Sequence, residues 1–285
     1  MMAKLDAHMH VWTLARGDYT WLTPEFSEIY RDFSIDDAWP EAEQAGVEQC
    51  ILVQAAATAA ETDFLLSLAA SDARVAGVVG WIDFQAGTAA EEVRCRAAQD
   101  NLVGIRPMIA DLPDPNWILQ DGCAPALKAT SETGLVFDGH ARPDLIRVMT
   151  TLAERYPDLS IVVNHAGKPP IASGALDDWR ADIKALSACP NVSTKLSGLL
   201  TEAGARTDDA PIGAVVDHVA SCFGHERVLW GSDWPVLTMA GSYGDWAAQS
   251  ERLITQYFAG HEDAVWGANA ARIYLENTGG RRGQT

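Results

Sequence analysis

Asp6-Ala7-His8-Met9-His10 and Val228-Leu229-Trp230-Gly231-Ser232-Asp233-Trp234-Pro235 are the stretches that decide how this chain reads. Each is a short apolar run ending in side chains that can ligate a metal or move a proton. In a closed parallel barrel the first and last strands are neighbours. The two segments can therefore meet, bringing His8, His10 and Asp233 into one pocket.

The chain between them supports that closure. Apolar, β-branched runs recur at 4–11, 49–54, 75–81, 102–107, 135–140, 159–165, 191–195 and 227–233. Several are nearly continuous in apolar residues, as expected for parallel strands covered on both faces. Amphipathic stretches alternate with them at 34–45, 61–70, 89–98, 142–155, 176–188, 212–223 and 243–258, and 261–274 reads as an extra closing helix. Ser34 supplies a cap for the first helix and Gly46 a stop. Eight strand-then-helix units predict a (β/α)8 TIM barrel built as one domain over 1–285, with 278–285 a flexible tail. Three longer insertions, 14–31, 109–122 and 167–174, all follow strand C-termini, the face on which barrel sites form.

Composition narrows the function classes. The 285 residues carry a formal net charge of −18, which repels phosphate backbones and anionic lipid, so neither nucleic acid nor a membrane is expected as a partner. No apolar run is long enough to span a bilayer, and no basic-then-apolar leader pattern opens the sequence, so the expected location is cytoplasmic. The five cysteines form no C-x-x-C pair, which argues against a disulfide framework or a zinc knot. There is no G-x-S-x-G elbow, no G-x-G-x-x-G and no Walker sequence, so serine-nucleophile and nucleotide chemistry are disfavoured.

Polar groups instead mark the strand ends. Gln54 and Trp81 end strands two and three, and Arg106 ends strand four. Asp138 and His140 end strand five, His165 strand six, Lys195 strand seven and Asp233 strand eight. Burying so many ionisable groups without a function is costly. His8 and His10 share a side of strand one by alternation. A carboxylate beside imidazoles can take a proton from water, which makes Asp233 the first candidate base. His165 is a candidate metal ligand or oxyanion donor, and Asp233 otherwise caps the segment opening at Pro235. Arg106 and Lys195 either hold substrate or pair with acids such as Asp138. Trp21, Trp117 and Tyr19 in the insertions are candidate pocket walls. His140 is the weaker candidate, turned outward if Asp138 points in.

The chain resembles the amidohydrolase superfamily, in its lactonase-rich branch. The resemblance is carried by Asp6-Ala7-His8-Met9-His10, Val79-Gly80-Trp81-Ile82-Asp83, Gly104-Ile105-Arg106, Asn164-His165-Ala166-Gly167-Lys168-Pro169, Lys195-Leu196-Ser197-Gly198-Leu199, Gly231-Ser232-Asp233-Trp234-Pro235 and Trp266-Gly267-Ala268-Asn269-Ala270. It is nearest to sugar-lactone hydrolases of the L-fuconolactonase and L-rhamnonolactonase kind. That implies a hydrolase opening a sugar-acid lactone with water, Asp233 acting as general base and then acid. By the same resemblance His8, His10, His165 and Arg106 bind or polarise the carbonyl, and Trp21, Gln54, Trp81, Asp138, Lys195 and Trp117 contact a small-molecule sugar lactone. No lysine ends strand four or five, so a carbamylated lysine bridging two metals is not expected. One divalent ion, zinc by preference, would sit on His8, His10, His165 and Asp233, although the branch also includes metal-independent members. A pyrone- or muconolactone-type dicarboxylate lactonase and a metal-dependent decarboxylase stay open as alternatives, as does assembly into a homo-oligomer.

Overall fold

The computed structural model describes residues 4–276. The proposed tail, 278–285, lies outside them. Eight strands follow in chain order: β1 Lys4–Met9, β2 Val47–Val53, β3 Val75–Gly80, β4 Leu102–Ile105, β5 Val136–Gly139, β6 Ile161–Val163, β7 Val192–Leu196 and β8 Val228–Trp230. All ladder pairs are parallel, and the sheet order is the sequence order. The helices around them are α1 Ile35–Gln44, α2 Ala59–Ser71, α3 Ala89–Ala97, α4 Ala124–Glu132, α5 Ile146–Arg155, α6 Asp177–Ser187, α7 Asp209–Phe223 and α8 Tyr243–Tyr257. The fold is thus a (β/α)8 TIM barrel. No helix among the described residues is long and apolar enough to cross a membrane.

Two features depart from the sequence reading. Helix α4 lies in a stretch with no predicted helix; a Pro near its start and a short amphipathic run hide its period. Strand six was expected to run to His165 but stops at Val163, because residues 165–168 turn into a left-handed conformation.

Inside the barrel, Leu5, Ala7, Ile51, Val53, Val79, Val103, Val136, Val162 and Leu229 pack as one apolar layer. Ala270, Ile273 and Tyr274 of the C-terminal helical segment join this layer and close the barrel floor. The larger apolar cluster lies between strands and helices.

The seam between β1 and β8 positions the site. The two strands share no full ladder. Two bonds just beyond them make the join: Asp233 N–H donates to His8 O at 2.8 Å, and His10 N–H donates to Trp234 O at 2.7 Å. The Asp6 carboxylate, completely buried, accepts from the His8 amide at 3.0 Å, the Ser232 amide at 2.9 Å and the Tyr243 hydroxyl at 3.0 Å. One side chain therefore ties strand one to the segment after strand eight and to α8. Gly231 fits this crossing because a Cβ there would lie 2.9 Å from the His8 Cβ.

Asp6→Ala leaves three buried donors without an acceptor, each costing about 1–3 kcal/mol. A loss of about 3–5 kcal/mol in denaturant unfolding is expected. Asp6→Asn keeps an acceptor for both amides and can donate to the Tyr243 oxygen, so its loss should stay below about 1.5 kcal/mol. Equal losses in the two variants would show that the acceptor is not what holds the seam.

Candidate active site

His8 and His10 reach the barrel mouth through a break in strand alternation. Leu5 and Ala7 face the interior, while Asp6 faces Tyr243 on α8. Strict alternation would send His8 outward with Asp6. A register irregularity between Asp6 and Met9 resets the phase and turns His8 inward beside His10. Their rings meet edge to face, with centroids 4.8 Å apart and the two Nε2 atoms 3.1 Å apart.

His165 arrives from a single left-handed turn. His165, Ala166, Gly167 and Lys168 all have positive φ, at 53°, 49°, 70° and 54°. Such backbone costs about 1–3 kcal/mol at each non-glycine residue. The turn is held by the Trp179 indole, which donates to Ala166 O at 2.8 Å, and by Lys168 N–H, which donates to His165 O at 2.8 Å. Asp233 is also left-handed, with φ 60°. The Gly198 backbone lies against both residues: a Cβ there would approach His165 Nδ1 to 2.7 Å and Asp233 Oδ2 to 3.1 Å.

These elements converge on Asp233. Its Oδ1 lies 3.4 Å from His10 Nε2, 3.6 Å from His8 Nε2 and 3.7 Å from His165 Nε2. Tautomers follow from the outer partners. Val53 O lies 2.6 Å from His10 Nδ1 and can only accept, so Nδ1 of neutral His10 carries the proton. His10 Nε2 therefore presents a lone pair to the Asp233 carboxylate. The Lys195 ammonium donates to His8 Nδ1 at 3.3 Å, which places the proton of neutral His8 on Nε2. The Ser197 hydroxyl sits 2.8 Å from His165 Nδ1.

The donor set fits a divalent cation. His8, His165 and Asp233 offer ligand atoms within 4.8 Å of one another, and His10 Nε2 lies 3.1 Å from His8 Nε2 and 3.4 Å from Asp233 Oδ1. Three imidazole nitrogens within 3.4 to 3.7 Å of the Asp233 Oδ1 are a nitrogen and oxygen donor set of the kind that zinc takes. Were an ion bound at Nε2, the His8 and Lys195 pair would have to give up one proton, since Nδ1 already accepts from the Lys195 ammonium.

Beneath the histidines lies a buried polar floor. Lys195 Nζ pairs with Asp138 Oδ2 at 2.8 Å, with both side chains fully buried. Asp138 also accepts from the Tyr274 hydroxyl and from the Asn164 amide. Asn164 Oδ1 in turn accepts from Arg106 at 3.3 Å. Neither Lys195 nor Asp138 is among the residues lining the cavity.

The cavity measures about 200 Å³ and is lined by His10, Trp21, Ala55, Arg106, Met108, Asp111, His140, His165, Lys168, Asp233 and Val236. Of the residues expected from sequence, His10, His165, Asp233, Arg106 and Trp21 line it, with His8 directly behind. Gln54 is buried and donates to Arg106 O at 2.6 Å, so it holds the end of β4. Trp81 and Trp117 are not among the lining residues. Sequence reasoning passed over Met108, Asp111, Lys168 and Val236. Lys168 stood in the Asn164–Pro169 motif, where only the histidine was weighed. His140, set aside as outward-turning, lies past the end of β5 and lines the cavity. Its Nδ1 has no hydrogen-bond partner among the described residues.

Burial sets the charge states. It holds the His8, His10, His140 and His165 imidazoles below their ordinary values, His165 down to about 3. Burial opposes ionisation of Asp233, but cationic groups around it, Lys168 among them, hold its carboxyl below the ordinary value. Arg106, although lowered by burial, stays cationic. Near pH 7 the site is one carboxylate among neutral imidazoles beside a guanidinium.

This combination of parallel barrel, paired imidazoles on the first strand and an aspartate after the last defines a hydrolase architecture. The chain belongs to the amidohydrolase family, whose sequence profile matches residues 5–275. It is similar to the L-fucono-1,5-lactonase of Burkholderia ambifaria, with 39% identity over 96% of both chains. It also matches the L-fucono-1,5-lactonase of Burkholderia multivorans, at 34% identity over 95% of each. A crystal structure of an amidohydrolase from Burkholderia multivorans with bound zinc superposes with a TM-score of 0.91. It is 34% identical, covering 96% of this chain and 99% of that one.

The depressed imidazoles give a signed pH dependence. Below pH 6.5 the unfolded chain protonates His165, while the folded protein keeps it neutral down to about pH 3. The unfolded state then binds the extra proton, so stability falls as pH drops, by about 1.4 kcal/mol per pH unit for each such proton. In denaturant titrations of metal-free protein from pH 6.5 to 4, His165→Asn should flatten that decline by up to this amount. An unchanged slope would mean that His165 is not buried neutral.

Proposed function

We propose that this protein is a lactonase that opens a sugar-acid lactone by adding water across its ester. One observation carries the reading: an ionised Asp233, neutral imidazoles and the Arg106 guanidinium share one small cavity. Nearly full-length similarity to proteins named L-fucono-1,5-lactonase supports the substrate class. A cavity of about 200 Å³ is smaller than the roughly 300–1,000 Å³ typical of drug-sized ligands, which suits a single sugar ring.

The residues divide the work. Asp233 takes a proton from water as the water oxygen bonds to the carbonyl carbon. The carbonyl oxygen gains negative charge, which the Arg106 guanidinium and an imidazole N–H stabilise. When the ring C–O bond breaks, the departing alkoxide receives the proton that Asp233 holds. Water is thereby added in full, and Asp233 returns to its anionic form. Trp21 offers a ring face to the sugar, while Asp111, His140 and Lys168 can hydrogen-bond its hydroxyls.

A divalent ion, zinc by resemblance, would be held by His8, His10, His165 and Asp233. When bound it supplies Lewis acidity. The dicarboxylate alternative needs both Arg106 and Lys195 to grip carboxylates; Arg106 lines the cavity, but the Lys195 ammonium is engaged by Asp138 and His8 below it.

A pH-indicator screen over hexonolactones should detect acid release. Asp233→Asn should fold and lose about 10²–10⁴-fold in kcat; turnover at the wild-type rate in that variant would overturn its role. Release of carbon dioxide in place of a ring-opened acid would favour a decarboxylase. Chelation with metal analysis tests the ion: activity lost and then restored by zinc assigns it a role. Undiminished turnover in metal-free protein leaves polarisation to Arg106 and the imidazoles.

A further inference from the structure

Three consecutive carbonyls at the end of β2 each orient a different side chain of the site. Val53 O takes the His10 Nδ1 hydrogen bond at 2.6 Å. Gln54 O takes one from the Arg106 guanidinium. Ala55 O takes the Trp21 indole hydrogen bond at 2.7 Å. The next turn of chain is clamped from α2. Glu61 Oε2 accepts both the Ala55 N–H, at 2.9 Å, and the Ala56 N–H. Glu61 is fully buried, and its own backbone is anchored by the Thr58 cap at 3.1 Å.

We infer that Glu61 is a positioning residue: by gripping the amides of residues 55 and 56 it fixes the row of carbonyls that aims His10, Arg106 and Trp21 into the cavity. It touches no substrate itself. The geometry is specific, because a peptide plane is rigid. Holding the Ala55 N–H fixes the Gln54 carbonyl of the same plane, and holding the Ala56 N–H fixes the Ala55 carbonyl. The two carbonyls so fixed are those that receive Arg106 and Trp21. Val53 O lies one plane further and is steadied through the Gln54–Arg106 pair, in which Gln54 Nε2 also donates to Arg106 O at 2.6 Å.

The burial of Glu61 needs such a reason. Its Oε1 has no hydrogen-bond partner among the described residues, and burial pushes its carboxyl up to about 7 although the two amides pull it down. A surface-seeking side chain at the start of a helix has been drawn inward and left half satisfied. What it gains is one oxygen shared by two amides.

The inference rests on the proposed lactonase reading, and the experiment separates the two. Wild type and Glu61→Gln, Glu61→Asp and Glu61→Leu are compared for kcat and KM on a verified lactone, with thermal melts to check folding. Gln retains an oxygen at full reach and should stay within about threefold of wild type. Asp keeps the charge but withdraws the oxygen by one methylene. Leu fills the space with no acceptor. Loss of a positioning partner typically costs about 10–100-fold, so kcat of the Leu variant should fall in that range and that of the Asp variant by at least fivefold. An order of activity with Gln above Asp supports a clamp set by reach and not by charge. Asp equal to or better than Gln, or wild-type kcat in Asp or Leu, overturns it. The Asp and Gln comparison stands even if the Leu variant does not fold. If wild type opens no lactone, the functional reading fails first, and the clamp is then read by the broadening of the His10 and Trp21 side-chain NMR signals in Asp relative to Gln; no difference there overturns it.

Discussion

The structure depends on one closure. The first strand must meet the segment after the last, and they meet through few bonds. Two backbone hydrogen bonds and the Asp6 carboxylate do most of the joining. Because that seam also carries His8, His10 and Asp233, barrel closure and site assembly are the same event. Burying Asp6 has a cost, seen in a carboxyl pushed up to about 6. Its three donors offset that cost and fix the register in which the imidazoles face the aspartate.

The site draws on backbone that unfavoured conformations make possible. Among the described residues, His165, Ala166, Lys168 and Asp233 are four of the five non-glycine residues with positive φ. Strain at such positions persists only where surrounding contacts over-determine it. Here the Trp179 indole, the packing of Ile146 against Gly167 and the backbone of Gly198 supply those contacts. Side chains that would be splayed by an ordinary strand end are instead folded back toward a common point.

Much of the fold was legible because it rests on long-period signals. Apolar, β-branched runs, several of them nearly continuous, marked all eight strands, and polar residues at their ends marked the mouth of the barrel. The family resemblance rested on the same residues. What could not be read depends on single-residue irregularities. The phase reset after Asp6 leaves no trace in a pattern of alternate residues, although its result, two inward histidines, happened to match simple alternation. The left-handed turn is stabilised by a tertiary contact from Trp179 on the following helix, which no periodicity reveals, so the end of strand six was read too late. Lys195 and Asp138 looked like substrate contacts because strand-end position does not reveal depth. Glu61 was not singled out, since nothing in the pattern shows that the turn from β2 into α2 brings the two amides to it.

The floor of the barrel couples the chain's two ends in time as well as space. Tyr274, from the last helical segment, reaches Asp138, which holds the Lys195 ammonium against His8. Synthesis delivers His8 and His10 long before Tyr274. A nascent barrel still lacking that segment has an open base through which water can reach the ammonium and carboxylate. The tautomer of His8 thus depends on a side chain more than 250 residues further along the chain, so the pocket is complete only once the base is plugged.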